Sequence, residues 1–335
     1  MPVDLRSDTV TRPTAAMRRA MASAEVGDDQ YGEDPTVNGL EEEFAERVGK
    51  AAALYVPSGV MANQLALKVL TRPGDAVVAG ASSHIAAYED GAASANCGIT
   101  LIGLDDTSGH LDLNAVTTAI QAASHHQPHV ALVALEDTHM AAGGTVWAPA
   151  ALAALCSRAE AGSVAVHLDG ARLWHAEVAS GLPMAHRAAG ATTVMCCLSK
   201  GLGAPVGSLL AGPADLITAA RVERHRMGGA MRQAGVIAAA GRVAMHEMVS
   251  RLERDHRRAA RLADALRQRW PGSVDYGGTN IVVLAHSDTP AFLKHLERHG
   301  VLAGTIAPGR VRLVTHVDVD DVGIEQVLAA IVSAP

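Results

Sequence analysis

Cysteine is scarce in this chain, with four among 335 residues: Cys97, Cys156, Cys196 and Cys197. No CxxC and no Cys/His ligand spacing occurs, so neither a disulfide framework nor a zinc site is expected and no metal is assigned. Cys196-Cys197 lies in an apolar segment and reads as small core packing. No apolar run reaches membrane-spanning length, and the N-terminus, Met1-Pro-Val-Asp-Leu-Arg-Ser-Asp-Thr, carries acids where a secretion signal would carry an apolar stretch. A cytoplasmic chain with no membrane partner is expected. Excess positive charge is lacking too. A formal net charge of −7 gives no electrostatic case for nucleic acid. Arginines do gather at 251–269, but Glu253, Asp255 and Asp264 interleave with them, as on the solvated face of a long helix. There is no internal repeat and no low-complexity linker, and no GxGxxG follows the first strand pattern, which removes a dinucleotide site. What remains is 49% hydrophobic and 19% charged, a composition that folds around a large core. At this length one large domain and a smaller one are expected.

Lysine is the informative scarcity. Of 28 basic side chains only Lys50, Lys68, Lys200 and Lys294 are lysine. Lys200 ends the apolar run Val194-Met-Cys-Cys-Leu-Ser-Lys200 and opens the turn Gly201-Leu-Gly-Ala-Pro-Val-Gly207. A lysine leaving a buried strand is poorly solvated, and a neutral amine is what a carbonyl needs to form a Schiff base. About one strand–helix–strand repeat earlier, Ser163-Val-Ala-Val-His-Leu-Asp169 reads as a buried strand with a carboxylate at its C-terminal end. Asp169 alone could equally cap the following helix or pair with Arg172. Together, a lysine for an aldehyde and a carboxylate for a pyridinium nitrogen are the two fixed points of a pyridoxal 5'-phosphate (PLP) site. In open α/β sheets both would sit over the carboxyl edge of the strands.

The hydrophobic pattern supports such a sheet. Strand-like runs at 53–56, 76–80, 99–104, 130–135, 164–169, 192–199 and 206–211 alternate with helical patterns near 59–71, 112–123, 149–161 and 213–226. The expected fold is α/β, a mostly parallel seven-stranded sheet with helices on both faces, plus a smaller C-terminal α+β domain. Residues 1–12 read as an extended polar arm, 13–245 as the large domain and 246–335 as the small one. Helical patterns also fall near 14–23 and 36–49. The stretch from 231 to 270 has no internal proline and reads as one long helical connection. The small domain would hold strands at 280–285 and 311–315 and helices near 289–299 and 320–333.

Other residues are placed to serve the same site. Val56-Pro-Ser58-Gly59-Val60 is a strand–turn–helix junction, an anion cradle suited to a phosphate. His84 follows the second strand and could stack on a planar cofactor or act as a base. His125-His126 precedes the fourth strand in a polar loop. Arg172 and Arg312 are candidate carboxylate clamps through paired hydrogen bonds.

These segments together resemble the L-threonine aldolases, PLP enzymes of fold type I, the aspartate aminotransferase-like fold. The matching text includes Asp4-Leu-Arg-Ser-Asp-Thr-Val-Thr-Arg-Pro13, Gly27-Asp-Asp-Gln-Tyr-Gly-Glu-Asp-Pro-Thr36, Val56-Pro-Ser-Gly59, His167-Leu-Asp-Gly-Ala-Arg-Leu173, Cys197-Leu-Ser-Lys-Gly-Leu-Gly-Ala-Pro-Val-Gly-Ser208, Gly228-Gly-Ala-Met-Arg-Gln-Ala-Gly235 and Arg312-Leu-Val-Thr-His316, in order along nearly the whole chain. The resemblance implies cleavage of L-threonine or L-allo-threonine to glycine and acetaldehyde. Lys200 would carry the cofactor, Asp169 hold its ring nitrogen, His84 stack on the ring, and Ser58, Gly59 and Val60 meet the phosphate. Ser7, Arg172 and Arg312 would bind the substrate carboxylate. His84 and His126 would lie near its hydroxyl, either one serving as base. Tyr31 would approach the substrate and Arg232 would come from a neighbouring subunit of a homotetramer, a dimer of dimers. The pattern departs at Val60, where threonine is common, at Ala86 and Ala87, where bulkier residues stand, at Asp137 and Met140, where asparagines stand, and at His225, where lysine is common. The small Ala86 and Ala87 keep open a bulkier β-hydroxy amino acid, or another PLP reaction on the same scaffold. A non-catalytic binding protein is the reading from a different class.

Overall fold

The computed structural model describes residues 2–122 and 126–334. Its centre is a seven-stranded sheet built from β2 (Ala52–Val56), β3 (Ala76–Gly80), β4 (Thr100–Leu104), β5 (Val130–Glu136), β6 (Ala165–Asp169), β7 (Thr193–Cys197) and β8 (Ser208–Gly212), ordered β2-β8-β7-β6-β5-β3-β4. β8 is antiparallel to both its neighbours, and the remaining pairs are parallel, so β8 alone runs backwards. Parallel strands are covered on both faces and therefore carry near-continuous apolar runs. All five residues of β3, of β7 and of β8 are buried. Alternation divides them between two cores. Val166, Leu168, Val194 and Cys196 join the large core on one face. Met195 and Cys197 on the other face pack with Ala62, Leu65 and Ala66 of the helix Gly59–Leu70. His167 and Asp169 alternate onto that second face, under a helix, and a polar side chain placed there needs partners.

The C-terminal unit is a four-stranded antiparallel sheet, ordered β12 (Gly304–Ala307), β13 (Arg310–Val314), β10 (Ile281–Ala285) and β9 (Val274–Tyr276). Its own core joins Val282, Leu284, Val311 and Leu313 to Leu262 and Leu266 of the helix Leu252–Arg269 and to Ile324 and Val327 of the helix Asp321–Val332. Alternation along β13 turns Arg312 and Val314 to the opposite face, where Val314, Ile281 and Val283 pack on Met140 from the large unit. That face carries Arg312 toward the large sheet.

The structure adds the strands β9 and β12 to the two expected in the C-terminal unit, and it differs from the sequence pattern elsewhere too. The N-terminal arm is not only polar. β1 (Val3–Asp4) pairs in parallel with β11 (Val301–Leu302), and Leu5 is fully buried in the C-terminal core. This anchors the arm so that Ser7 and Asp8 reach the sheet edge. The 231–270 stretch is also broken, into Gly235–Val243, a π turn at Ala244–Met248, and Leu252–Arg269 after a turn at 249–251. The break falls where the chain leaves one core for another. Ala238, Ala240 and Ala244 pack in the large core, whereas Ala259, Leu262 and Leu266 pack in the small one.

Candidate active site

The carboxyl ends of β2, β3, β6 and β7 converge on one pocket of about 290 Å³, lined by Ser58, Gly59, Val60, Asn63, His84, Asp169 and Lys200, with Thr9 of the N-terminal arm. Lys200 is half-buried three residues beyond β7. Its segment is pinned from both sides. The Thr11 hydroxyl donates to the Lys200 carbonyl at 3.1 Å, and a Cβ on Gly201 would come within 2.3 Å of His175 Nε2. Glycine is needed at 201 because the backbone lies directly on that ring.

Asp169 is buried at the end of β6. Its Oδ1 accepts the Ala171 N–H at 3.1 Å and its Oδ2 accepts Asn63 Nδ2–H at 2.8 Å. Burial pushes the carboxyl pKa up, but the nearby charges of His84 and Lys200 and the Asn63 hydrogen bond outweigh it and hold it below the usual value. An ionised carboxylate in this position suits a protonated ring nitrogen.

Asn63 is the centre of a buried network. Its Nδ2 also donates to Glu89 Oε1 at 2.8 Å, and its Oδ1 lies 3.0 Å from His167 Nε2. His167 Nδ1 in turn is 2.9 Å from the Thr193 hydroxyl. Burial drives His167 down to about 4, so it is neutral. With the Thr193 hydroxyl on Nδ1, the ring donates Nε2–H to Asn63. Glu89 Oε2 accepts Gln64 Nε2–H at 2.7 Å, and its Oε1 lies 2.9 Å from His84 Nδ1. The His84 backbone N–H donates to Glu136 Oε2 at 2.6 Å, which fixes the ring's segment to the end of β5. His84, Glu89 and Asp169 are also the described group whose ligand atoms lie within 4.8 Å of one another. The amide donors of Asn63 and Gln64 account for that clustering without a cation.

One end of the pocket, the candidate phosphate cradle, is the start of the helix Gly59–Leu70. Ser58 caps it, its Oγ accepting the Met61 N–H at 3.2 Å. The N–H groups of Gly59 and Val60 have no intrahelical partner by helix geometry. Val60 brings no hydroxyl, so an anion here would be met by the backbone. A Cβ on Gly59 would stand 2.9 Å from Cys197 Sγ and 3.1 Å from Met195 Cε. Gly59→Ala is therefore expected to cost about 1–3 kcal/mol of overpacking and to weaken PLP binding. A urea midpoint of the apoenzyme and a PLP titration check both effects.

Near Lys200, but outside the residues that line the pocket, lies a cationic group. Arg172 donates Nε–H and Nη2–H to the two Asp8 oxygens, both at 2.7 Å, and both groups are buried. Burial opposes the Asp8 charge, yet Arg172, with Lys200 and His175, holds the carboxyl far below its usual range. Arg312 donates Nη2–H to the Arg6 carbonyl at 2.9 Å, while its Nε is buried without a hydrogen-bond partner. Burial, then Arg172, lowers the Arg312 pKa. An unpaired buried N–H beside a second guanidinium is a place for an incoming carboxylate. Ser7 stands next to Asp8, its Oγ accepting the Thr9 N–H at 3.2 Å.

Six of the expected site residues do not line the pocket of their own chain: Ser7, Arg172 and Arg312 lie beside it, and His126, Tyr31 and Arg232 lie away from it. His126 is exposed and precedes β5, so it lies at the amino edge of the sheet, a strand length from Asp169, which pairs with Glu136 at the other end. Within its own chain it does not meet the pocket. Its neighbour His125 lies outside the described residues. Tyr31 is 77% exposed. Arg232 is exposed beside it, its backbone carbonyl accepting the Asp29 N–H at 3.1 Å and its side chain reaching Gln30. Conversely, the sequence pattern does not single out Asn63, Glu89 and His167. The available signal was a polar pair, Asn63-Gln64, inside a helix segment, 59–70, whose one other polar side chain is Lys68 in the last turn.

The chain matches the model of the β-eliminating lyase family over residues 4–287. It is 40% identical over 331 residues to the low-specificity L-threonine aldolase 1 of Arabidopsis thaliana, covering 94% of this chain and 91% of that protein. It is 38% identical over 329 residues to the low specificity L-threonine aldolase of Escherichia coli strain K12, covering 98% and 97%. The chain belongs to the threonine aldolase family of lyases. Its fold agrees with that of the Leishmania major threonine aldolase, with a TM-score of 0.85 at 20% identity over 98% of both chains. Against that family's pattern, the Met140 loop keeps its order without an asparagine there. Met140 packs under Ile281 and Val283, its N–H donates to Glu136 Oε1 at 2.8 Å, and His139 bridges Thr145. Asp137 takes up the buried Arg187, which donates Nε–H at 3.0 Å and Nη2–H at 2.6 Å to its Oδ2.

Proposed function

We propose that this threonine aldolase binds PLP at Lys200 and cleaves L-threonine or L-allo-threonine to glycine and acetaldehyde. The observation that carries the reading is one pocket faced by Lys200, by a buried ionised Asp169 and by the half-buried His84. These residues fit PLP. The lysine and the carboxylate line the same pocket, and the Gly59 cradle is open where a side chain would close it against Cys197. When bound, PLP supplies an electron sink for the pair released from Cα.

The chain's own groups do the rest. Lys200 would hold the cofactor, and Asp169 would face its ring nitrogen as an ionised carboxylate. Arg312 and Arg172, with the Ser7 hydroxyl, would receive the substrate carboxylate and so orient the Cα–Cβ bond for cleavage. His84 takes the β-hydroxyl proton as the Cα–Cβ bond breaks and Cβ becomes the aldehyde carbon. A proton then returns to Cα to give glycine. Arg312→Leu is expected to raise KM by roughly 10–100-fold, the scale of a lost hydrogen bond to a charged group. kcat should change less, as steady-state kinetics with L-threonine would show.

The experiment for the function is aldehyde release by the PLP-loaded protein, with L-threonine and L-allo-threonine side by side. Acetaldehyde from either supports the retro-aldol, and the rate ratio gives the diastereomer preference. No acetaldehyde from PLP-bearing protein would overturn this substrate. It would favour the second reading, a bulkier β-hydroxy amino acid, which the half-buried Ala86 and exposed Ala87 beside His84 support. We also assign the chain to a cytoplasmic homotetramer in which Tyr31 and Arg232 approach a neighbouring subunit's pocket. Their exposure supports this, as does the lack of any helix long and apolar enough to cross a membrane among the described residues.

A further inference from the structure

We infer that Glu89 is a positioning residue for the aldol step: it binds the His84 Nδ1–H, so that the neutral imidazole presents its Nε2 lone pair to the pocket. The inference rests on the retro-aldol reading above, and the geometry behind it is independent of that reading. Asn63 Nδ2 lies 2.8 Å from Glu89 Oε1 and 2.8 Å from Asp169 Oδ2. Between two carboxylates only the amide nitrogen can face both, so the Asn63 orientation is unambiguous. Gln64 Nε2–H occupies Glu89 Oε2. The remaining contact of the buried Glu89 is His84 Nδ1 at 2.9 Å, and a carboxylate in that position accepts. The proton of neutral His84 is then on Nδ1, and Nε2 is the basic atom left for the pocket that His84 lines.

Asn63 gives the arrangement a second property. One amide group spans Glu89 and Asp169, so the carboxylate that holds the imidazole and the carboxylate that faces the cofactor are fixed relative to each other. The helix Gly59–Leu70 that starts at the phosphate cradle thus also sets the distance between base and ring.

The groups facing His84 are Glu89 from its own segment, Asp169 from the end of β6 and Lys200 beyond β7, with Glu136 of β5 on its backbone N–H and the Tyr88 ring 5.8 Å away. Burial lowers the His84 pKa, but the Glu89 hydrogen bond and the Asp169 charge overcome this and raise it above the usual imidazole value, against Lys200. Glu89 makes His84 a stronger base, and removing its charge should weaken that base.

The test uses the PLP-loaded enzyme labelled with ¹⁵N-histidine, the His84 signal being assigned by its loss in His84→Asn. Wild-type His84 at high pH is expected to carry its proton on Nδ1. In Glu89→Gln the His84 titration midpoint should fall below that of the wild type, and the acidic limb of the kcat/KM profile should move down with it. The plateau should fall roughly tenfold, within the range of general-base effects. A wild-type His84 protonated on Nε2 would overturn the inference, and so would a Glu89→Gln enzyme whose midpoint and acidic limb stay put while activity drops equally at every pH. If Glu89→Gln does not fold, the wild-type tautomer still decides. Wild-type aldehyde release tests the retro-aldol separately, so failure of one reading is distinguishable from failure of the other.

Discussion

Lys200→Ala is expected to lower turnover by roughly 10⁴-fold or more, the scale of removing a covalent catalytic group from a site whose members act as a unit. The pocket itself should survive. Lys200 is half-buried, its backbone carbonyl rather than its amine holds Thr11, and Asp169 keeps its Asn63 and Ala171 donors. The variant should therefore fold and retain weak PLP binding, visible as PLP absorbance without the form bound through lysine. A small primary amine added to the assay should restore part of the rate, because it replaces the missing nucleophile without the positioning. Wild-type turnover in Lys200→Ala would end the proposed mechanism.

Asp169→Asn should cost about 10²–10³-fold in kcat, the effect of removing one preorganised charge from a buried site. The substitution keeps the shape and removes the charge. The Asn63 amide needs an acceptor at 2.8 Å, so the new carboxamide must turn its oxygen there and its NH₂ elsewhere. Nothing then favours the protonated ring nitrogen, and the ring takes up electrons less readily. PLP should remain bound through Lys200, so the loss falls on kcat and not on cofactor content. Measuring kcat beside the PLP-to-protein ratio separates the two. A near-wild-type kcat with PLP fully bound would show that Asp169 does not act on the ring nitrogen.

The two changes differ in what they leave behind. Removing Lys200 leaves an empty half-buried position, whereas altering Asp169 disturbs a network that continues through Asn63 to Glu89 and His84. Asp169→Asn should therefore also shift the acidic limb of the pH profile, since the Asp169 charge raises the His84 pKa.

Much of this site was legible along the chain. Strand–helix alternation placed the sheet, and Lys200, Asp169, Ser58–Val60 and His84 each follow the carboxyl end of a strand. These are local facts, carried by periodicities of two and 3.6 and by residues a few positions past an element's end. Sequence alone thereby determined a fold of parallel strands and the lysine–aspartate pair above it. It did not place Arg172 on Asp8 or Arg312 on Arg6, because those pairs are separated by 164 and 306 residues. It did not reveal that Asn63 joins Glu89 to Asp169, 106 positions away. It also drew His126 toward the site, although strand direction puts that residue at the amino edge of β5. Those contacts depend on how helices and the C-terminal sheet pack over the large sheet. Packing brings remote side chains within a few ångströms, and no local periodicity encodes which ones meet.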